Sequence, residues 1–287
     1  MQPISVVIPA FNEESALERV VKDIHSVLGE KAGSYEIVVV DDGSSDRTPE
    51  IARGLGARVV SHPHNVGYGA SVKSGIRNAQ YDRIVITDGD GTYDPIVIPT
   101  LAADLDTFHM VVGARRGTIY RSSWVKFLGR HLFRFLSEFA TGRRIPDINS
   151  GLRAFRKDTV VRFFDIASDR FSFTTTITLA LMLTGYFVKY VPVDYFPRVG
   201  ESKVDHFRDT LRAGEGIIQC ILYYNPLKLF LLPTAFLGAL AILLACAGLI
   251  VRDTVLLLSA AVVGVGAILM GGIGLLADLL RRDAVPR

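Results

Sequence analysis

Cysteine is nearly absent: Cys220 and Cys246 are the only two in 287 residues. They stand at neither disulfide nor metal-ligand spacing, so no disulfide framework organises the chain. The net charge of +3 is too small to mark a nucleic-acid binder. No internal repeat and no low-complexity tract is present. The most informative absence is that of charge after Pro226. Residues 229–251 and 255–277 contain no charged side chain at all. At about 1.5 Å per residue each stretch can cross a hydrocarbon core of roughly 30 Å. Only Arg252, Asp253 and Thr254 separate them, which predicts a two-helix hairpin. A core helix of a soluble protein keeps a polar face, and neither stretch has one.

Residues 1–226 read as a globular sequence with charges throughout. No basic and apolar leader precedes the first strand, so this half is expected in the cytosol. Lys228 before the first span and Arg281, Arg282 and Arg287 after the second predict cytosolic N- and C-termini, with Arg252 in the far turn a minor exception. The expected division is a catalytic domain over 1–204, a juxtamembrane amphipathic helix over 205–226, two spans over 227–280 and a cytosolic tail over 281–287.

Short apolar strands at 4–8, 36–40, 58–61 and 83–87 alternate with helices over 14–28, 48–55 and 69–79. That alternation predicts an α/β fold, a mostly parallel sheet flanked by helices. Such sheets bind ligands beyond the carboxyl ends of their strands. Polar clusters stand at those ends here: Asn12-Glu13, Asp41-Asp42, His64-Asn65 and Asp88-Gly89-Asp90. A further strand is expected at 110–113, followed by Arg115, Arg116 and Arg121. A helix over 122–139 sets Trp124, Phe127, Leu128, Leu132, Phe135, Leu136 and Phe139 on one side and Lys126, Arg130 and Arg134 on another. Such a helix suits either a membrane surface or the interior with a solvated face, and the adjoining hairpin favours the membrane.

Asp88-Gly89-Asp90-Gly91-Thr92 is the strongest local signal. Two carboxylates just past a strand can hold a divalent cation, Mg²⁺ or Mn²⁺, whose remaining positions go to substrate phosphates. Gly89 and its neighbour Gly91 allow a diphosphate close to the backbone. A carboxylate of Asp41 or Asp42 can accept from a base N–H or a ribose hydroxyl, while Asp46 reads better as the cap of the next helix. Asn65 and Gly67 open a helix, where a base or an anion can be met. The glycine spacing that follows is not that of a dinucleotide fingerprint.

Taken together, 3–226 resemble glycosyltransferase family 2 with its GT-A fold. The resemblance rests on Ile8-Pro9-Ala10-Phe11-Asn12-Glu13-Glu14, Val40-Asp41-Asp42-Gly43-Ser44-Ser45-Asp46 and Asp88-Gly89-Asp90, in order and at the family's separations. Within the family the chain looks like the polyprenyl- or dolichyl-phosphate hexosyltransferases, through Asp147-Ile148-Asn149-Ser150-Gly151-Leu152-Arg153 and Arg198-Val199-Gly200-Glu201-Ser202-Lys203. The resemblance implies that Pro9, Phe11, Glu13 and Asp42 hold the base and ribose of a nucleotide-sugar, with Ala10, Asn65, Gly67 and Lys73 completing the donor site. Asp88 and Asp90 would serve metal and diphosphate, and Arg198 and Lys203 would neutralise phosphate charge. Thr92 stands where this branch carries a glutamine, as a candidate third metal ligand.

Arg115, Arg116, Arg121, Arg130, Ser150 and Arg153 are candidates for the phosphate of a lipid acceptor, since guanidinium meets phosphate in bidentate fashion. The implied reaction is inverting transfer of one hexose or hexosamine from a UDP- or GDP-linked donor. The acceptor phosphate is largely dianionic at neutral pH and needs no general base. Asp147 is the fallback base, or else orients Arg153 or a loop. Expected partners are the donor, the polyprenyl or dolichyl phosphate and membrane lipids, with a homo-oligomer possible by analogy and no nucleic acid. Two other readings are weighed. A processive polysaccharide synthase would carry Gln-x-x-Arg-Trp, which the sole Trp124, preceded by Ser123, does not supply. A non-catalytic scaffold would have no reason to keep Asp88, Asp90, Arg198 and Lys203.

Overall fold

The computed structural model describes residues 2–31, 34–116, 124–170, 172–198 and 206–284, with the side chains of 30–31, 124–132, 206–213 and 282–284 outside the description. The chain runs β1 (Ile4–Ala10), α1 (Leu17–Lys31), β2 (Tyr35–Asp41), α2 (Thr48–Gly54), β3 (Arg58–Ser61), α3 (Tyr68–Asn78), β4 (Arg83–Ile86), α4 (Ile98–Ala103) and β5 (Met110–Arg116). It continues through α5 (Trp124–Thr141), β6 (Arg153–Arg156), α6 (Lys157–Val161), α7 (Phe173–Leu183), β7 (Val188–Asp194), α8 (His206–Tyr224), α9 (Pro226–Val251) and α10 (Thr254–Ala284). Two compact units divide it, Met1–Ser137 with Arg143–Ile217, and Glu138–Gly142 with Ile218–Arg287.

The first unit holds a seven-stranded sheet in the order β3-β2-β1-β4-β6-β5-β7. Its strands pair in parallel except β6, which runs antiparallel to both β4 and β5. The sheet is thus mostly parallel and mixed, flanked by helices, as the alternation predicts. The apolar stripe of α1, Leu17, Val20, Val21, Ile24 and Leu28, is buried against Ile4, Val6 and Ile8 of β1. Full burial of such side chains stabilises by about 2 kcal/mol each. α1 begins at Leu17, later than 14, because Ala16 N and Leu17 N both donate to Glu13 O in a turn that precedes it.

The second half of the sheet contains elements that the pattern does not announce. β6 reads Arg-Ala-Phe-Arg, with charge at both ends, yet lies between two strands and buries Arg153. α7 carries four threonines, poor helix formers, and every side chain from Phe173 to Met182 is buried. β7 includes Pro192, which cannot donate to a ladder and is tolerated because β7 is an edge strand.

In the second unit, α9 and α10 are long and apolar enough to cross a membrane, with mean hydropathies of 2.5 and 2.3 and few fully buried residues. Arg252 takes the left-handed conformation that ends α9, φ 57°. Asp253 N then donates to Gly248 O at 3.0 Å, and Asp253 Oδ1 accepts from Val255 N at 2.8 Å to start α10. Close helix approach relies on small residues: a Cβ on Gly274 would stand 2.6 Å from Phe230 Cβ. Lys228 Nζ donates to the carbonyls of Phe139 and Ala140 at 3.2 and 3.0 Å, capping the end of α5.

Candidate active site

β1 ends at Ala10, level with Asp41 of β2. On its other flank β4 runs level with β1, and Thr87 N donates to Val7 O at 3.2 Å. The winding of the sheet therefore reverses between β1 and β4, the position where open α/β sheets bind ligands. Pro9, Ala10, Glu13, Asp41 and Gly89 are all buried at this end, and Phe11 is half-buried.

Two loops here are sewn together. Asn12 has φ 52°, rare outside glycine. Its amide N donates to Ser44 Oγ at 2.9 Å and its Oδ1 accepts from Ser45 N at 2.7 Å. Asp46 accepts from Thr48 N at 3.0 Å and from Glu14 N at 3.2 Å, so it organises the entry to α2 from one residue before the N-cap position, which Arg47 and not Asp46 holds. Asp41 Oδ1 accepts from Ser44 N at 3.0 Å.

Asp42 is committed inward. His62 Nδ1 lies 2.7 Å from its Oδ1, Val66 N donates to Oδ1 at 3.1 Å and Gly67 N to Oδ2 at 2.9 Å. Gly67 has φ 115°, and a Cβ there would stand 2.7 Å from Asp169 O. Ala70 N donates to that same carbonyl at 3.0 Å. Lys73 Nζ donates to Ala167 O at 2.5 Å and to Asp169 Oδ1 at 2.6 Å. Gly67 and Lys73, expected at the donor, both serve the docking of the 167–170 segment onto α3. Asn65 is exposed beside them.

The turn after β4 is different. Asp90 is buried, with Thr92 N at 3.1 Å and Thr92 Oγ1 at 2.7 Å donating to its Oδ1. Its Oδ2 lies 3.6 Å from Arg198 Nε, too long for a hydrogen bond. Burial pushes the Asp88 carboxyl up to about 7, and the facing Asp90 charge adds to the rise. Arg115, Arg198 and the nearby Tyr68 hydroxyl draw it down without prevailing. Arg198 Nη2 donates to Glu13 Oε1 at 2.5 Å, while its buried Nε has no hydrogen-bond partner among the described residues.

A crowded carboxylate pair beside an orphaned guanidinium N–H fits a divalent cation with a diphosphate. The cation would relieve the repulsion, and a phosphate oxygen would satisfy Arg198. Two carboxylates leave most of a cation's coordination positions open, so they suit a cation shared with substrate phosphates. Thr92, a candidate ligand, turns its hydroxyl toward Asp90 as a donor.

Asp147 is paired with Arg115 in bidentate fashion, Nε to Oδ2 at 2.7 Å and Nη2 to Oδ1 at 2.9 Å. Arg115 also lies over the Tyr195 ring, 5.3 Å from its centroid, and Arg116 beyond it is exposed. Asp147 therefore orients Arg115, not Arg153. Arg153 is fully buried and donates to Ser150 O, to Thr174 O at 2.9 Å and to Thr178 Oγ1 at 2.9 Å. Ser150, also buried, donates to Gly113 O at 2.6 Å. These two candidates for the acceptor phosphate are thereby corrected: their donors are used up inside the fold. Arg121 and Lys203, with the side chains of Lys126 and Arg130 and the aromatic face through Leu132, lie outside the described residues.

Sequence reasoning passed over Tyr68, Tyr93, Tyr195 and Gly151. Tyr68 sits inside a segment read for its glycines. Gly151 belongs to a segment noted as a whole, with no local sign of what its missing side chain makes room for.

The model of glycosyl transferase family 2 matches residues 5–164. The dolichyl-phosphate hexose transferase of Haloferax volcanii is 31% identical over 222 residues, 76% of this chain and 94% of that protein. The undecaprenyl-phosphate 4-deoxy-4-formamido-L-arabinose transferase of Edwardsiella ictaluri is 34% identical over 166 residues, 56% of this chain and 51% of that protein. Glucosyl-3-phosphoglycerate synthase from Mycobacterium tuberculosis, solved with Mn²⁺, UDP-glucose and phosphoglyceric acid, superposes with a TM-score of 0.62 at 22% identity over 76% of this chain and 79% of that one. At that identity the likeness is one of fold, and the fold is of GT-A type.

Proposed function

The chain belongs to glycosyl transferase family 2, and from that premise we propose that it moves one hexose or hexosamine, with inversion, from a UDP- or GDP-linked donor to a polyprenyl or dolichyl phosphate. The reaction would run at a membrane surface, with α9 and α10 spanning the bilayer and the catalytic unit and both termini in the cytosol. What carries this reading is the Asp88–Asp90 pair, crowded and under-compensated at the switch point of the sheet, in a chain that also bears two membrane-length apolar helices. The names of the two relatives above support a lipid phosphate as acceptor.

Asp88 and Asp90 would hold a Mg²⁺ or Mn²⁺ ion, which supplies charge neutralisation to the leaving nucleoside diphosphate. Thr92 fixes the rotamer of Asp90 through its hydroxyl. Glu13 holds Arg198 by one terminal nitrogen and leaves Nε facing the site, where it donates to a phosphate oxygen as charge grows on the leaving group. Lys203 is assigned the same task from the sequence. Asp41 accepts from the nucleoside, with Pro9, Ala10, Phe11 and Gly89 lining the approach.

The acceptor phosphate attacks as a dianion, so no side chain has to remove a proton. Both Asp147 oxygens are already taken by Arg115, which suits a positioning residue better than a base. Asp147 presents Arg115 to the acceptor, and Arg116, Arg121 and Arg130 add positive charge around it. Rate then comes from positioning and charge stabilisation.

The test is transfer itself. The full chain in proteoliposomes receives radiolabelled UDP- and GDP-sugars in turn, together with polyprenyl phosphate. Label is expected in a mild-acid-labile lipid with one donor class. Label in a polymer, or in no product with any donor, refutes the proposal.

A further inference from the structure

Gly151 touches the Asp88 carboxylate. A Cβ built on it would stand 2.4 Å from Asp88 Oδ2 and 2.6 Å from Oδ1, nearer than any real carbon can sit. Its backbone is not in the left-handed region, so what glycine provides here is space, and a side chain would make the Asp88 carboxylate shift.

The placement of Gly151 is fixed from two sides. Its N–H donates to Tyr93 Oη at 2.9 Å. Tyr93 Oη lies 3.2 Å from Ser150 Oγ, and Ser150 Oγ donates its single proton to Gly113 O at 2.6 Å. Proton counting then makes Tyr93 the donor to Ser150. The result is a one-way chain, Gly151 N–H to Tyr93 to Ser150 to Gly113 on β5. Burial raises the Tyr93 phenol and keeps it protonated for that task. From beneath, the buried Arg153 guanidinium clamps Ser150 O with Nε and Nη2, at 3.0 and 2.5 Å, and ties it to α7 through Thr174 and Thr178.

We propose that Tyr93, Ser150 and Arg153 are positioning residues that press Gly151 against Asp88 and so set where that carboxylate meets the cation. This rests on the cation reading given above and deepens it. The backbone of Gly151 bounds the space open to the Asp88 carboxylate, which also feels the charge of Asp90. The tightness of the cation site is then decided by a glycine and a tyrosine that do not touch the ion.

The full chain in detergent is titrated with Mn²⁺ by electron paramagnetic resonance, without donor or acceptor, while folding is followed by thermal melt. Gly151→Ala is expected to raise the Mn²⁺ Kd by about tenfold or more, as supporting contacts of metal ligands commonly do. Tyr93→Phe, which keeps the ring and loses only the hydroxyl, is expected to raise it by a smaller factor and remains informative should Gly151→Ala fail to fold. Ile24→Val on α1, far from the site, is the comparison for a purely structural effect and should lower the melting temperature with the Kd unmoved. An unchanged Kd in a folded Gly151→Ala, or in Tyr93→Phe, overturns the inference alone. Absence of Mn²⁺ binding by the unaltered chain overturns it together with the cation reading on which it stands.

Discussion

Two acidic pairs stand at the ends of the strands that flank β1, Asp41-Asp42 closing β2 and Asp88 with Asp90 after β4, and they look alike in sequence. In the fold they are opposites. Asp42 has its charge answered on both oxygens by His62 and by the amides of Val66 and Gly67. Asp88 is half-buried beside another carboxylate, is pushed up to about 7, and faces a guanidinium with a spare N–H. A satisfied carboxylate holds a loop in place. A frustrated one, which the fold must pay to keep, waits for a ligand.

The comparison can be broken by substitution. Asp90→Ala should lower transfer by about 10³-fold or more while the melt and circular dichroism stay those of a folded protein, because the lost group acts on the transition state. Asp42→Ala should act the other way round. It strands buried amide donors and is expected to destabilise the fold by about 2–4 kcal/mol in urea titrations, with the surviving folded protein still binding Mn²⁺. If Asp42→Ala leaves stability intact, the assignment of that carboxylate to loop structure is wrong.

A smaller effect concerns pH. The Asp88 carboxyl is raised in the folded state, so the folded protein keeps a proton that the unfolded chain releases between about pH 4 and 7. In chelator this group makes the fold less stable as pH rises through that window, and its charge remains a cost above 7. Bound cation removes that cost. The upward shift in melting temperature caused by Mn²⁺ should therefore grow from pH 6 to pH 8, and Asp88→Asn should flatten the growth. A shift that is constant with pH in the unaltered chain contradicts the raised carboxyl.

Much of the first half was legible in the residues. The apolar runs of β1 to β4, the stripe of α1 and the two acidic turns follow from local periodicity, which a parallel sheet covered on both faces enforces. The apolar hairpin was legible for the same reason, since length and absence of charge are local facts. The second half of the sheet was not. β6 is a strand because two neighbours enclose it, and α7 is a helix because its surroundings bury it, conditions set by tertiary context. The same holds within the site. Gly67, Lys73 and Arg153 are the residue types that bind anions, and only the fold reveals that Asp42 has claimed the first, Ala167 and Asp169 the second, and Ser150 and Thr174 the third. Tyr68 and Gly151 act on Asp88 across sequence distances that no local pattern spans.

The central claim is that Asp88 and Asp90 together grip a divalent cation in front of Arg198. Crystals grown with Mn²⁺ and a nucleoside diphosphate, measured at the manganese absorption edge, test it most directly. One anomalous peak is expected within coordination distance of both carboxylates and of the diphosphate, with Arg198 Nε on a phosphate oxygen. A peak elsewhere, or a diphosphate bound with neither carboxylate near a metal ion, contradicts the account.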